Sequence, residues 1–195
     1  SLTDGEVGVG TANSAAQFDD LSVQEYVPPV VVPATLPYSE DFEDGVPDSL
    51  VGESGTWSVR GGRYHVVPAV ATDGISTLLT AAPLPSNLEL SAVVNAVVSN
   101  GGLWTNSSII FDYQSPTDFK FAGLFAWRDE LQIGHRTGSE WAIDAVRTVA
   151  LSPGVDYDLS VVIEGTEVRA EVNGGVASAS YDYGESLTDG EGGVG

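Results

Sequence analysis

The side chains best suited to acid–base chemistry are few and widely spaced in this sequence. Cleavage of a glycosidic bond by a retaining mechanism needs two carboxylates about 5 Å apart, yet the aromatic segment 119–127 contains none. Asp112 stands alone in its predicted strand, and Asp129-Glu130 reads as a turn. The two histidines, His65 and His135, have no serine nucleophile motif or metal-ligand spacing beside them. The sequence therefore predicts a protein that is not an enzyme.

Aromatic residues beside turns are the stronger candidates for ligand contact, because an indole ring stacks well on the apolar face of a sugar. Trp104 and Trp141 each follow a predicted turn. His135 and Arg136 precede Trp141 closely and offer hydrogen-bond donors. These four residues form the predicted glycan-binding set. The alternative is that both indoles only cover the ends of the core.

The segment 119–127 alternates between an aromatic face and a largely aliphatic one. The aromatic face carries Phe119, Phe121, Phe125 and Trp127, and the other carries Lys120, Ala122, Leu124 and Ala126. Strict alternation of this kind indicates a β-strand, whose side chains point to opposite faces in turn. We expect the aromatic face to form the core of the sandwich.

A β-bulge is predicted at Asp19-Asp20. Phe18, Leu21 and Val23 are apolar, but they cannot share one face under strict alternation. One extra residue must therefore be accommodated between them, which would turn a carboxylate out of register. We predict that Phe18, Leu21 and Val23 form a strand between units, and the choice between Asp19 and Asp20 stays open.

The composition excludes several classes of partner. The chain has 28 acidic and 7 basic residues, for a net charge of -21, so phosphate backbones and anionic lipid headgroups repel it. We expect neither nucleic acid binding nor membrane insertion, since no run of about 18 apolar residues is present. The absence of cysteine rules out disulfides and thiolate chemistry. An extracellular or cell-surface location is the expectation.

The sequence contains an internal repeat. Residues 1–10, SLTDGEVGVG, return at 186–195 as SLTDGEGGVG, and the copies differ only at Val7 and Gly192. Self-similarity of this quality indicates an array of repeated units. The predicted partners are therefore neighbouring copies of the same repeat, in a tandem array or a homopolymer.

The chain reads as all-β with a proline-rich linker. Short alternating or β-branched runs are separated by Gly, Pro, Asn and Asp, and no helical periodicity is sustained, which favours a two-sheet antiparallel sandwich. Residues 26–37 contain four prolines and are predicted to form an extended linker. The predicted divisions are a closing-strand segment at 1–25, this linker, the sandwich at 38–185 and the start of a next repeat at 186–195.

Three passages carry a family resemblance. YSEDFEDG from Tyr38, GTWSVRGGRYHV from Gly55 and QFDDLSV from Gln17 resemble segments of concanavalin A-like, or laminin G-like, jelly-roll domains. The resemblance implies a jelly-roll sandwich of the kind found as a tandem repeat in large bacterial extracellular proteins. The QFDDLSV passage resembles the last strand of such domains, although here it precedes the first.

The resemblance also implies calcium. An acidic residue of the last strand and oxygens near the first strand hold the ion in that family, which assigns Asp20 as a side-chain ligand with Asp41 and the carbonyl of Gly62. Asp19 and Asp44 are further candidates, since calcium takes six to eight oxygens. The alternative is a solvated acidic edge that discourages aggregation between sheets.

The order of these segments suggests two arrangements. A sandwich that lacks its last strand leaves an open row of backbone donors and acceptors. Either residues 15–24 belong to the preceding unit of a covalent array, or they add to another sandwich by strand complementation. The favoured function is a calcium-stiffened repeat module of an adhesin stalk or filament. The alternative is a non-catalytic, lectin-like carbohydrate-binding module.

Overall fold

The computed structural model describes Gln17 and residues 31–69, 72–97 and 105–195. Every regular element in these residues is a β-strand, and none of them forms a helix able to cross a membrane. The chain divides into two units, Ser1–Val30 and Val31–Gly195, and the thirteen strands of the described residues belong to the second. The strands are β1 (Leu50–Ser54), β2 (Thr56–Val59), β3 (Tyr64–Val67), β4 (Ile75–Leu78), β5 (Asn87–Val94), β6 (Asn106–Ser115), β7 (Asp118–Phe125), β8 (Glu130–Thr137), β9 (Glu140–Thr148), β10 (Tyr157–Glu164), β11 (Glu167–Val172), β12 (Ala177–Asp182) and β13 (Glu191–Val194).

The strands form two main sheets. One has seven strands in the order β1-β4-β13-β6-β7-β8-β9, and the other has four in the order β12-β11-β10-β5. The hairpin β2–β3 is a separate two-stranded sheet. Every pairing between these strands is antiparallel. The predicted all-β, two-sheet antiparallel sandwich is thereby confirmed.

The core between the two sheets is mainly aliphatic. Its central side chains are all at most 2% exposed and come from both sheets: Ile109, Phe111, Ala122, Leu124, Leu131 and Ile133 from the larger, and Leu159, Val161, Ile163, Val168, Ala170 and Val172 from the smaller. Burial of apolar area on this scale is the main term that stabilises the sandwich.

Strand β7 corrects one expectation. Ala122 and Leu124 face the smaller sheet, while Phe119 and Phe121 lie on the opposite, outer face of the seven-stranded sheet. There they form a second buried cluster with Ile75. The prediction that the aromatic face forms the sandwich core is therefore wrong: both faces of β7 are buried, and the space between the sheets is filled by the smaller side chains.

The segment 186–195 contains an interior strand of the seven-stranded sheet. Strand β13 runs between β4 and β6, and Gly193 is opposite Thr77 on one side and Ile110 on the other. Leu187, just before the strand, is fully buried in the core between the sheets. The sandwich thus extends past residue 185, the predicted boundary, because β13 is needed to connect β4 to β6. That the same segment also begins a further repeat stays a prediction.

The described part of the predicted linker contacts the sandwich. The Ala34 amide donates to the Leu79 carbonyl at 2.8 Å, and the Ala81 amide donates to the Ala34 carbonyl at 2.8 Å. The Ser49 hydroxyl donates to the Val32 carbonyl at 2.7 Å. These bonds fix residues 32–34 beside the end of β4, and the role of the linker as a connector between units stays a prediction.

Candidate functional site

A line of side chains crosses the outer face of the seven-stranded sheet near one end. Glu191 of β13 is opposite Tyr113 of β6, and Arg136 of β8 is opposite both Phe119 of β7 and Trp141 of β9. The rings of Tyr113 and Phe119 stack with 6.2 Å between their centroids. We call Tyr113, Phe119, Arg136 and Trp141 the outer row. It joins aromatic surface to polar groups on one rigid sheet.

Trp141 is the exposed member of the outer row. Its side chain is 47% exposed, although its ring meets Phe119 edge-on at 5.6 Å and Phe121 at 5.3 Å. The Arg136 guanidinium lies 5.3 Å from the centre of the indole, and it forms an ion pair with Asp73. These contacts hold the indole in one orientation, which lowers the entropic cost of stacking a ligand on it.

Tyr113 connects the outer row to an acidic groove. Its hydroxyl donates to Glu53 at 3.4 Å, and burial together with the charges of Glu53 and Glu191 raises its pKa to about 12. The groove encloses about 850 Å³ and is lined by Glu53, Thr80, Ala81, Ala82, Pro83, Leu84, Tyr113, Gln114, Thr188, Asp189, Gly190 and Glu191. The carboxylates can accept hydrogen bonds from the hydroxyls of a polar ligand, and the amide can both donate and accept.

His135 does not join the outer row. Adjacent residues of a strand point to opposite faces, so His135 lies on the other side of β8 from Arg136. Its Nδ1 is 2.7 Å from Asp144 Oδ2, which also accepts a hydrogen bond of 2.8 Å from the Tyr183 hydroxyl. The predicted set therefore divides: the structure brings Arg136 and Trp141 together and places His135 in a separate network.

That network continues into a buried ion pair. Lys120 pairs with Asp112 and, at 3.0 Å, with Glu185, and its ammonium lies 5.1 Å from the centre of the Tyr183 ring. Burial raises the pKa of Asp112, although Lys120 opposes this, and burial together with Asp144 raises the pKa of Tyr183. Each charged group here has a partner, so the network closes one end of the sandwich.

The described part of the predicted calcium set is engaged in local turns. Asp41 accepts a hydrogen bond from the Glu43 amide at 3.1 Å, and Asp44 accepts one from the Val46 amide at 2.9 Å. A β-carbon built on Gly62 would lie 2.4 Å from a carboxylate oxygen of Glu43, so that carboxylate is the one beside the Gly62 backbone. Among the residues that the structure describes, no three carboxylates or histidines form a metal-binding group.

Several predicted residues lie outside the described residues. They are Asp19, Asp20, Trp104, Phe18, Leu21 and Val23. The calcium set and the strand between units therefore stay predictions. Conversely, sequence reasoning missed Asp73, Glu53 and Glu191, since no local motif marks them and they reach the outer row only through long-range pairing.

The comparisons with known proteins support the fold. No protein-family model and no curated protein matches the sequence. Among solved structures, the carbohydrate-binding module CBM66 from Bacillus subtilis is similar, with a TM-score of 0.61 and 16% sequence identity over 75% of this chain and 86% of that one. The fold is therefore a jelly-roll β-sandwich of the kind seen in a carbohydrate-binding module, as the sequence resemblance implied.

Proposed function

We propose that this chain is a non-catalytic carbohydrate-binding module whose site is the outer row. The observation that carries the proposal is Trp141, a half-exposed indole held edge-on by Phe119 and accompanied by the Arg136–Asp73 pair. The similarity of the fold to that of CBM66 supports the same reading. A flat aromatic surface beside fixed polar groups suits a sugar, which has both apolar faces and hydroxyls.

The expected ligand is a neutral glycan. The chain carries a net charge of -21, and the groove next to Tyr113 adds Glu53, Asp189 and Glu191. These charges repel uronic acids and sulfated sugars. The one cation of the row, Arg136, is neutralised by Asp73. In the proposed complex Trp141 stacks on a sugar ring, and Arg136 and the groove carboxylates bind its hydroxyls.

The test compares two tryptophan substitutions on a panel of neutral and acidic polysaccharides, with retention in affinity gels as the measurement. Trp141→Ala is expected to abolish retention. Trp127→Ala is the matched control, because Trp127 is 41% exposed and also lies beside an arginine, with Arg128 4.4 Å from its ring. Equal retention of the two variants, with unchanged melting temperatures, would contradict the proposed site.

A second candidate is the repeat module of a larger extracellular protein, such as an adhesin stalk or filament. It is favoured by the decapeptide of residues 1–10, which repeats the segment that contains β13. Calcium bound by Asp19, Asp20, Asp41, Asp44 and the Gly62 carbonyl would stiffen such an array. Light scattering and electron microscopy at millimolar calcium, and again after chelation, test this function: regular polymers support it, and a compact monomer in both conditions contradicts it.

A further inference from the structure

Strand β13, an interior strand of the seven-stranded sheet, has a second copy in the sequence. Residues 186–195 supply β13, which pairs with β4 and with β6. The Gly195 amide and carbonyl also exchange hydrogen bonds of 2.9 and 2.6 Å with Ser108. Residues 1–10 match this segment at every position except Val7, which corresponds to Gly192. Each chain therefore carries two β13 sequences.

The positions that the two copies share include two glycines at which the sheet leaves no room for a side chain. A β-carbon built on Gly193 would lie 2.0 Å from the Ser76 carbonyl oxygen, and one on Gly190 would lie 2.6 Å from the Tyr113 amide nitrogen. Both contacts are with backbone, which cannot move aside cheaply. The first copy keeps glycine at both positions, as Gly8 and Gly5.

The single difference falls where the sheet is tolerant. A β-carbon built on Gly192 would lie 3.1 Å from Cδ2 of Leu90, the end of a flexible side chain, and 3.7 Å from the Ile110 carbonyl oxygen. The β-carbon of Val7 would therefore meet mainly the end of the Leu90 side chain, which can rotate, and not backbone as at Gly190 and Gly193.

The two buried side chains of the segment are also retained. Leu187 is fully buried in the core and Thr188 is 9% exposed, and the first copy has Leu2 and Thr3 at these positions. The first copy thus retains the glycines that the sheet requires at Gly190 and Gly193 and the two buried side chains, and it brings the same main-chain donors and acceptors.

We propose that residues 1–10 form a second β13 strand, which takes the β13 position in the sandwich of another copy of this chain by displacing residues 186–195 of that copy. This inference does not depend on glycan binding. It provides a way to connect successive copies if the chain is a repeat module. Main-chain hydrogen bonds to β4 and β6 provide the affinity, as in strand addition, and the glycine pattern provides the specificity.

The test uses the full chain with matched glycine substitutions. Gly193→Val blocks insertion of the chain's own strand, and Gly8→Val blocks the first copy. The Gly193→Val variant is expected to unfold cooperatively and to have a larger mass than the Gly8→Val variant by size-exclusion chromatography with light scattering. The double variant is expected to lose the cooperative transition or to have the lowest melting temperature.

A peptide of residues 1–10 keeps the test informative where the variants fold poorly. Added to the double variant, it is expected to raise the melting temperature, while the same peptide with Gly8→Val is not. Two results would overturn the proposal: equal mass and melting temperature for Gly193→Val and the double variant, or no rise in the melting temperature of the double variant when the peptide is added. If Gly193→Val is a folded monomer that loses its stability when Gly8→Val is added, residues 1–10 insert into the sandwich of their own chain, and the proposed insertion into another copy is wrong. Glycan retention plays no part in these readouts, so failure here leaves the carbohydrate-binding proposal standing.

Discussion

The indole of Trp141 stands edge-on to the ring of Phe119, with 5.6 Å between the centroids and 82° between the planes. Phe119 is buried, while Trp141 is half exposed. The buried ring therefore supports the exposed ring, which is the stacking surface in the proposed complex. An edge-to-face pair of this kind contributes about 0.5–1.5 kcal/mol beyond the area it buries.

Replacement of the supporting ring should weaken binding without loss of the fold. Phe119→Leu keeps most of the apolar volume but removes the edge contact, so we expect glycan affinity to fall by about two- to tenfold. Phe125→Leu is the control, since the Phe125 ring packs on Phe121 at 6.0 Å. Calorimetric titration measures both, and equal affinities would show that Phe119 does not position Trp141.

Gly134 packs against Phe121 on the outer face of the seven-stranded sheet, where there is no room for a side chain at position 134. A β-carbon there would lie 2.2 Å from the Ala142 carbonyl oxygen and 2.7 Å from Cζ of Phe121. Gly134→Ala should therefore destabilise the fold by about 1–3 kcal/mol in urea unfolding. In the control Gly138→Asn the turn glycine has φ +63° and open surroundings, and asparagine tolerates that backbone. Similar midpoints for the two variants would contradict this packing.

The ion pair of Lys120 and Asp112 should be costly to break from one side. The side chains are 13% and 8% exposed, so Lys120→Met leaves a buried carboxylate without its main partner and should cost about 3–5 kcal/mol at pH 7. Burial raises the pKa of Asp112 in the folded state. The folded state then favours the protonated acid, so stability is highest below the unfolded pKa and is lost as the pH rises through the folded pKa.

The loss in the Lys120→Met variant should accordingly be smaller at pH 4 than at pH 7, as measured by urea unfolding at both values. The double variant Asp112→Asn with Lys120→Met removes both charges, and it should recover part of the stability at pH 7. A loss that is independent of pH, or no recovery in the double variant, would show that Lys120 acts through packing alone.

Tyr113 should make the fold sensitive to alkali. Its pKa is raised to about 12 by burial and by Glu53 and Glu191, against about 10 in an unfolded chain. The stability that this difference contributes is fully present below pH 10 and is lost as the pH rises towards 12. Thermal unfolding between pH 9 and 12 should therefore show a steeper decline for the natural chain than for Tyr113→Phe. Parallel curves would contradict the assignment.

The strands and the sandwich were predictable because their signal is local. Alternation and turn residues occur in consecutive positions, so β7 can be located without knowledge of its neighbours. Strand β13 could not be located in this way, because its sequence, EGGV, shows no alternation; its residues were assigned to the start of a next repeat. The same alternation also places His135 and Arg136 on opposite faces, a signal that the grouping of both residues with Trp141 did not use. His135, Arg136 and Trp141 were grouped because they are close in the sequence, but adjacent residues of a strand point to opposite faces of the sheet.

What could not be predicted depends on distant pairing. Alternation on β7 divides its side chains into two groups, but it does not say which group faces the second sheet when both are buried. Arg136 meets Asp73, and Tyr113 meets Glu53, only because β1, β4 and β6 share one sheet with β8. The order of the strands in the sheet brings these distant residues together, and that order cannot be inferred from any short segment of the sequence.

The interior place of β13 in its sheet has a mechanical consequence. Antiparallel hydrogen bonds run perpendicular to the strands, and β13 has such bonds on both sides, to β4 and to β6. A pull along β13 therefore loads these bonds together in shear, whereas an edge strand pulled sideways releases them one at a time. Because Gly192 and Gly193 lie in the strand and Gly190 and Gly195 flank it, β13 bears tension through its main chain more than through interlocked side chains.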